Sequence, residues 1–262
     1  MRILTLDELP EPSALPLAAL KWLDGDAPQD RPFFGRLRRG GFPASPYFGV
    51  YAVDGGEVLG RVETLHLDFT GAGGRGKVLG VADVGTRPDA GRRGIARTLI
   101  ADVHRRARAA GLAWSFLWTR RSWGAHTLYE DLGYRDVYSP PSALRAPGTS
   151  RVPAIPRGFR WRKAGPSDAP RLEALLKVST VDRWGFVPRA AGSFRLRHRM
   201  GWRPLESHRI LCEGSRPVGF AYVTPQPFSL GVHEIVVRDP AYSPPMLDAL
   251  QHEAGRRWLA IG

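Results

Sequence analysis

The chain has 262 residues, 43% apolar and 24% charged, which excludes wholesale disorder and, at roughly 100–200 residues per domain, points to two compact units. No apolar run approaches the ~18 residues of a membrane span, and the opening MRILTLDELPEP lacks the basic-then-apolar layout of a secretory leader. A single cysteine, Cys212, leaves no internal disulfide framework or cysteine-rich zinc site, so the expectation is a cytoplasmic protein.

In chain order, PYFGVYAV, VLGRVETLHLDF and KVLGVADVGT read as three strands separated by glycine turns, the first being Asp54-Gly55-Gly56. From Arg93 to Ala110 the period changes. Ile95, Leu99 and Val103 recur every fourth residue, with Arg and Asp on the opposite face, which predicts an amphipathic helix. Ala113–Thr119 predicts a strand and Ala125–Leu132 a helix capped by Gly133. With a helix before the first strand and a strand after Gly133, this makes one α/β unit over residues 1–143. Pro, Ser and Gly then crowd into a linker at 144–157. The second unit, 158–262, opens with FRWRKAG, Pro166-Ser167-Asp168 and a helix carrying Leu172, Leu175 and Leu176. Three strands follow (RILCEG, RPVGFAYVT, GVHEIVV), then a helix from Pro245 to Leu259. The order repeats that of the first unit, an internal duplication of fold rather than of sequence.

Charge is uneven. Residues 1–150 hold 20 basic and 16 acidic residues, and 151–262 hold 18 and 9. The excess favours polyanionic partners, although 34 of the 38 basic residues are Arg, as codon bias would also produce.

Two glycine motifs compete as phosphate sites. Gly71 to Lys77 satisfies both G-x-G-x-x-G and G-x-x-x-x-G-K, but a strand follows instead of the helix that either chemistry needs, and Val78 offers no hydroxyl to magnesium. That loop reads as a hairpin connection. Gly91-Arg92-Arg93-Gly94-Ile95-Ala96, by contrast, follows a strand and opens the amphipathic helix. Gly94 admits close backbone approach, the first-turn amides point outward, and Arg92, Arg93 and Arg97 add charge, so a pyrophosphate cradle and a plain helix start both fit.

The stretch VADVGTRPDAGRRGIARTLI, followed by AHTLYEDLGY, resembles the GNAT acyltransferase superfamily over about residues 47–138. Gly94 and Ala96 match the end of [R/Q]-x-x-G-x-[G/A], while Ala125, Leu128, Tyr129, Gly133 and Tyr134 match the later block. Gly91 replaces the usual Arg or Gln, and Ser122 a common Asn. FRWRKAGPSDAPRLEALL also looks like the opening of a GNAT domain, making the chain similar to tandem GNAT proteins with an active first copy and a degenerate second. After Val237-Arg238-Asp239-Pro240 that second copy has no glycine for a cofactor loop.

The resemblance implies a mixed, mostly antiparallel sheet flanked by helices. It also implies acetyl transfer from acetyl-CoA, or another acyl-CoA, to a primary amine by direct attack in a ternary complex, with no metal. Cofactor contacts would fall on Val84, Gly85 and Thr86, on Arg92, Arg93, Gly94, Ile95, Ala96 and Arg97, and on Ser122. A backbone N–H near Val84 would meet the developing oxyanion, and Tyr129 would be the general acid; its other reading is a core aromatic. The usual base positions are Gly80 and Ala82, which cannot serve. Asp83 has the wrong alternation parity unless a bulge re-aims it. Glu63 and His66 on the preceding strand are the other candidates, and a water-only route is a further one.

His233-Glu234 and His252-Glu253 begin like a zinc motif but lack the second histidine, and Cys212 reads as a small buried hydrophobe. Trp114, Trp118 and Trp123 read as core or as walls of an acceptor cleft. Ser193–Arg203, with Arg195, Arg197, Arg199, Phe194 and Trp202, reads as a solvated face or as a nucleic-acid surface. Two rival functions remain: a catalytically inactive CoA-binding regulator, and a nucleic-acid-binding module using the basic second half. The acceptor is open, acidic or nucleic-acid-linked molecules included, and no membrane partner is expected.

Overall fold

The structure, a computed structural model, describes residues 1–9, 39, 42–71, 74–139, 142–146, 153–180 and 188–262. It divides into two compact units, one of residues 1–136 with 184–190 and the other of residues 137–183 with 191–262.

The first unit is a five-stranded sheet in the order β1-β2-β3-β4-β5. β2 (Ala44–Asp54), β3 (Glu57–Gly71) and β4 (Gly74–Thr86) form the expected meander. β1 (Arg2–Thr5), which the sequence reading missed, adds an antiparallel edge. β5 is only Ser115–Phe116, shorter than the 113–119 expected, and runs parallel to β4. α1 (Ile95–Ala109) follows β4, and α2 (Ala125–Asp131) follows β5. The strand expected after Gly133 is absent, because residues 134–139 are irregular. The helix expected before β2 lies outside the described residues.

Alternation decides what each sheet face does. Val50, Ala52, Leu59, Val62, Leu79 and Val81 pack against Ile95, Leu99, Ile100 and Val103 of α1. Gly60 makes this approach possible: a Cβ there would lie 2.9 Å from both the Gly85 carbonyl oxygen and Ile95 Cγ2. Gly71 pairs with Gly74 and Lys77 with Asp68, the latter by an ion pair at 2.7 Å, so the described residues of this decoy motif lie in two adjacent strands.

The second unit is a six-stranded sheet, β6-β11-β10-β9-β8-β7. Its strands are β6 (Ala143–Arg145), β7 (Phe159–Lys163), β8 (His208–Glu213), β9 (Arg216–Pro225), β10 (Ser229–Val237) and β11 (Trp258–Ile261). From β7 to β11 it repeats the first sheet: four antiparallel strands, then a parallel fifth. Two expectations are corrected here. Residues 144–145, assigned to the linker, pair with β11. The terminal helix is α5 (Ser243–Ala254), ended by Gly255 at φ 61°, and Trp258–Leu259 belong to a strand.

α3 (Ala169–Thr180) and α4 (Ser193–Arg199) complete the unit. Asp168 ties β7 to the start of α3, accepting from Arg162 at 2.7 and 2.8 Å, Arg171 at 2.9 Å and the Gly165 N–H at 2.9 Å. Cys212 is buried in β8.

Candidate functional site

The site grows from a fault in the β3–β4 ladder. Arg61 pairs with Gly85 and Glu63 with Ala82, so two steps on β3 meet three on β4. The extra residue is a bulge at Asp83–Val84, with Asp83 in the left-handed region at φ 45°. This is the re-aiming that Asp83 needed, and it brings the Asp83 carboxylate to 3.8 Å from the Arg61 guanidinium. Glu63 stands 3.2 Å from the same guanidinium. Arg61 is wholly buried. Two carboxylates thus approach one buried guanidinium.

The same fault changes the other edge of β4. β5 pairs only with Leu79 and Gly80, so from Val81 to Thr86 that edge has no strand neighbour among the described residues. Its backbone groups at Val84, Gly85 and Thr86 lead through a turn at Pro88–Ala90 into α1. There Gly94 sits at φ 74° as the residue before the helix, with no side-chain cap on the first-turn N–H groups. A Cβ built on Gly94 meets nothing within 4 Å. The start of the helix is therefore open, and a side chain at position 94 would meet the cost of a left-handed backbone. Arg92 shares that strain at φ 59°. Arg92 and Arg93 are exposed and have no partner among the described residues. Arg97 differs: it is paired with Asp131 of α2 at 2.8 Å. Ile95 is buried in the core and contributes only its backbone to this rim, as does half-buried Ala96. Ser122 is exposed in the turn before α2.

The ring of Tyr129 belongs to the core, 8% exposed, edge-on to Tyr134 at 5.8 Å between centroids. Its hydroxyl makes no hydrogen bond among the described residues, and burial pushes the phenol above its usual range. Gly133 at φ 91° turns the chain so that Tyr134 packs back. There the Tyr134 hydroxyl bridges Ser115 Oγ at 2.6 Å and His104 Nε2 at 2.8 Å, joining the segment after α2 to β5 and α1. His66 pairs with Leu79, away from the bulge, and burial and then Lys77 push its imidazole down.

The tryptophans are not core. Trp114, Trp118 and Trp123 are 70%, 66% and 49% exposed. Trp114 precedes β5, whereas Trp118 and Trp123 flank the loop after it and meet edge-on at 6.0 Å. In the second unit, β10 has its own bulge at His233, between the pairs Val232–Val223 and Glu234–Tyr222. The helix that follows, however, begins Ser243-Pro244-Pro245, so two first-turn N–H donors are missing and no glycine opens a cradle. Phe194 of α4 is buried against His208 and Phe220 and offers no stacking surface, while Arg195 and Arg199 are exposed.

Sequence reasoning missed Tyr51, the residue opposite Arg61 on β2. Its only sequence signal was a hydroxyl-bearing side chain in an otherwise apolar run of β2.

Residues 29–137 match the family model of the acetyltransferase (GNAT) domain. No curated protein matches the chain. Among solved structures, the chain is similar to a probable N-acyltransferase from Enterococcus faecalis V583 (12% identity, 99% of this chain and 64% of that one, TM-score 0.69). It is also similar to GCN5-related N-acetyltransferases from Anabaena variabilis ATCC 29413 (15%, 99% and 65%, 0.69) and Kribbella flavida (19%, 99% and 63%, 0.63). At these identities the likeness is one of fold, and the chain spans just under two-thirds the length of each.

Proposed function

We propose that the protein, whose residues 29–137 match the GNAT acetyltransferase domain model, moves an acetyl group from acetyl-CoA to a primary amine by direct attack in a ternary complex. One observation carries this reading: the bulged, half-unpaired β4 runs directly into the open, glycine-led start of α1.

The first-turn amides of α1, with Arg92 and Arg93, would hold the pyrophosphate. The free edge at Val84–Thr86 would pair with the pantetheine arm, and a backbone N–H near Val84 would donate to the carbonyl oxygen as charge develops. Asp83, half-exposed at the bulge, suits the acceptor's ammonium, and Glu63 suits removal of its proton. The amine nitrogen then attacks the thioester carbonyl carbon. As the C–S bond breaks, Tyr129 supplies the proton that the thiolate takes up. Substrate and product aside, no metal is invoked.

Calorimetric titration with acetyl-CoA and with free CoA tests the cradle. Wild type is expected to bind both and Gly94→Trp neither; equal binding by the variant would move the cofactor site elsewhere. A CoA-binding regulator without chemistry would bind identically, and is separated by turnover with amines.

A further inference from the structure

Tyr51 is about as deeply buried as any described residue in the first unit, and its hydroxyl makes no hydrogen bond among the described residues. A buried hydroxyl without a partner costs folding free energy, and one that persists marks a bound water, a ligand or a functional role. Its position argues for a bound water with a functional role. Tyr51 faces Arg61 across the β2–β3 ladder, and Arg61 contacts both Glu63 and Asp83. Arg61 in turn pairs with Gly85 on the strand proposed to present the thioester. The orphan hydroxyl therefore belongs to the polar cluster beside the reacting groups. Burial, and then the charge of Glu63, push its phenol up, so it remains an O–H donor.

We propose that Tyr51 donates its O–H to a water that bridges it to Glu63, and that the acceptor's ammonium loses its proton through this water. The inference rests on Glu63 being the base in the function proposed above. The ammonium N–H bond breaks and its proton joins the water oxygen, while one of the water's protons passes to the Glu63 carboxylate. The products are the free amine, the same water and the Glu63 carboxylic acid. Tyr51 keeps its proton throughout. It is a positioning residue, fixing the water so that a lone pair faces the ammonium.

Two acceptors separate this role from a structural one. n-Butylamine is an ammonium at neutral pH, as a lysine side chain is (pKa ~10.4), and must be deprotonated. Hydroxylamine is already uncharged and needs no base before attack. With acetyl-CoA as donor, Tyr51→Phe is expected to lower kcat with n-butylamine about tenfold, a fraction of a full acid–base contribution. The KM for acetyl-CoA and the rate with hydroxylamine stay unchanged. Equal slowing of both acceptors overturns the proposal. So does unchanged butylamine transfer with a raised Tm, the mark of a merely unsatisfied hydroxyl. Glu63→Gln distinguishes the two readings: full butylamine activity in that variant removes Glu63 as base, whereas its loss beside an unaffected Tyr51→Phe overturns the Tyr51 inference alone. If Tyr51→Phe does not fold, the solvent deuterium isotope effect of the wild type is read with each acceptor. A larger effect with n-butylamine supports the bridge and equal effects overturn it. A wild type that acetylates neither amine overturns both readings.

Discussion

Tyr129→Phe is the sharpest single test of the chemistry. The ring supplies the packing, edge-on to Tyr134 within the core, and phenylalanine keeps it. The hydroxyl makes no hydrogen bond among the described residues, so its removal should change stability by no more than about 0.5 kcal/mol. The acid role has a modest ceiling, because a thiol of ordinary pKa ~8.5 is a good leaving group even unassisted. The loss belongs at the low end of general-acid effects, about 10²-fold in kcat, or ~2.7 kcal/mol. The phenol, raised by burial, stays protonated beyond its usual ~10. The acid form is thus present at all lower pH, and any loss of rate from its ionisation appears only above that value. Thiol release from acetyl-CoA in the presence of a primary amine measures kcat, calorimetry the acetyl-CoA affinity, and thermal unfolding the fold. The expected pattern is lower kcat with unchanged affinity and Tm. Wild-type turnover would refute the acid role, and a loss confined to affinity would make Tyr129 a binding residue.

Other outcomes follow from the same geometry. Arg93→Ala should weaken acetyl-CoA binding by about 0.5–1 kcal/mol, less at high salt, as for an exposed charge-assisted contact; titration at two ionic strengths checks it. Gly60→Val should destabilise the first unit by about 1–3 kcal/mol, since its side chain must enter space closed by the Gly85 carbonyl, Ile95 and Leu99, measurable by denaturant unfolding. Asp168→Asn should cost the second unit about 2–3 kcal/mol by breaking a buried, multiply bonded carboxylate. The Arg162 guanidinium beside Asp168 holds its carboxyl below the usual range. Its stabilisation is therefore complete above the unfolded value of ~3.9 and is lost as pH falls below that, so wild type and variant should converge in stability under acid.

Much of this was readable before any coordinates. α1 announced itself through Ile95, Leu99 and Val103 at helical spacing, and β2 to β4 through their apolar runs and glycine turns, because burial on one face imposes a period. The cradle was readable because Gly94 needs a conformation that other residues resist. What escaped was non-local. Arg2–Thr5 is too short to show a period and becomes a strand only by pairing with β2. Trp258–Ile261 follows a helix without a break that hydrophobicity registers, and only Gly255 marks the end. The bulge at Asp83 is a mismatch between two strands and is written in neither alone. The tryptophans misled for a different reason: a large apolar side chain is more often inside than outside, yet the loop around β5 leaves Trp118 and Trp123 in solvent. Arg97 matched the cofactor motif, but its i+34 partner Asp131 could be found only in three dimensions.

β6 lies at the start of the second unit and among the described residues its strand partner is β11, more than a hundred residues later. β10, too, gains its parallel neighbour only from β11. Pairings of such span are slow to form, since the loop must close before any contact rewards it. During synthesis the five described strands of the first sheet have emerged once Phe116 is made, whereas the second has a bare β10 edge until residues 258–261 are made. The interval between those two moments is when this chain is most exposed to strand-edge misassembly. Loss of β11 should therefore reduce the yield of folded protein before it affects the β4–α1 junction of the first unit.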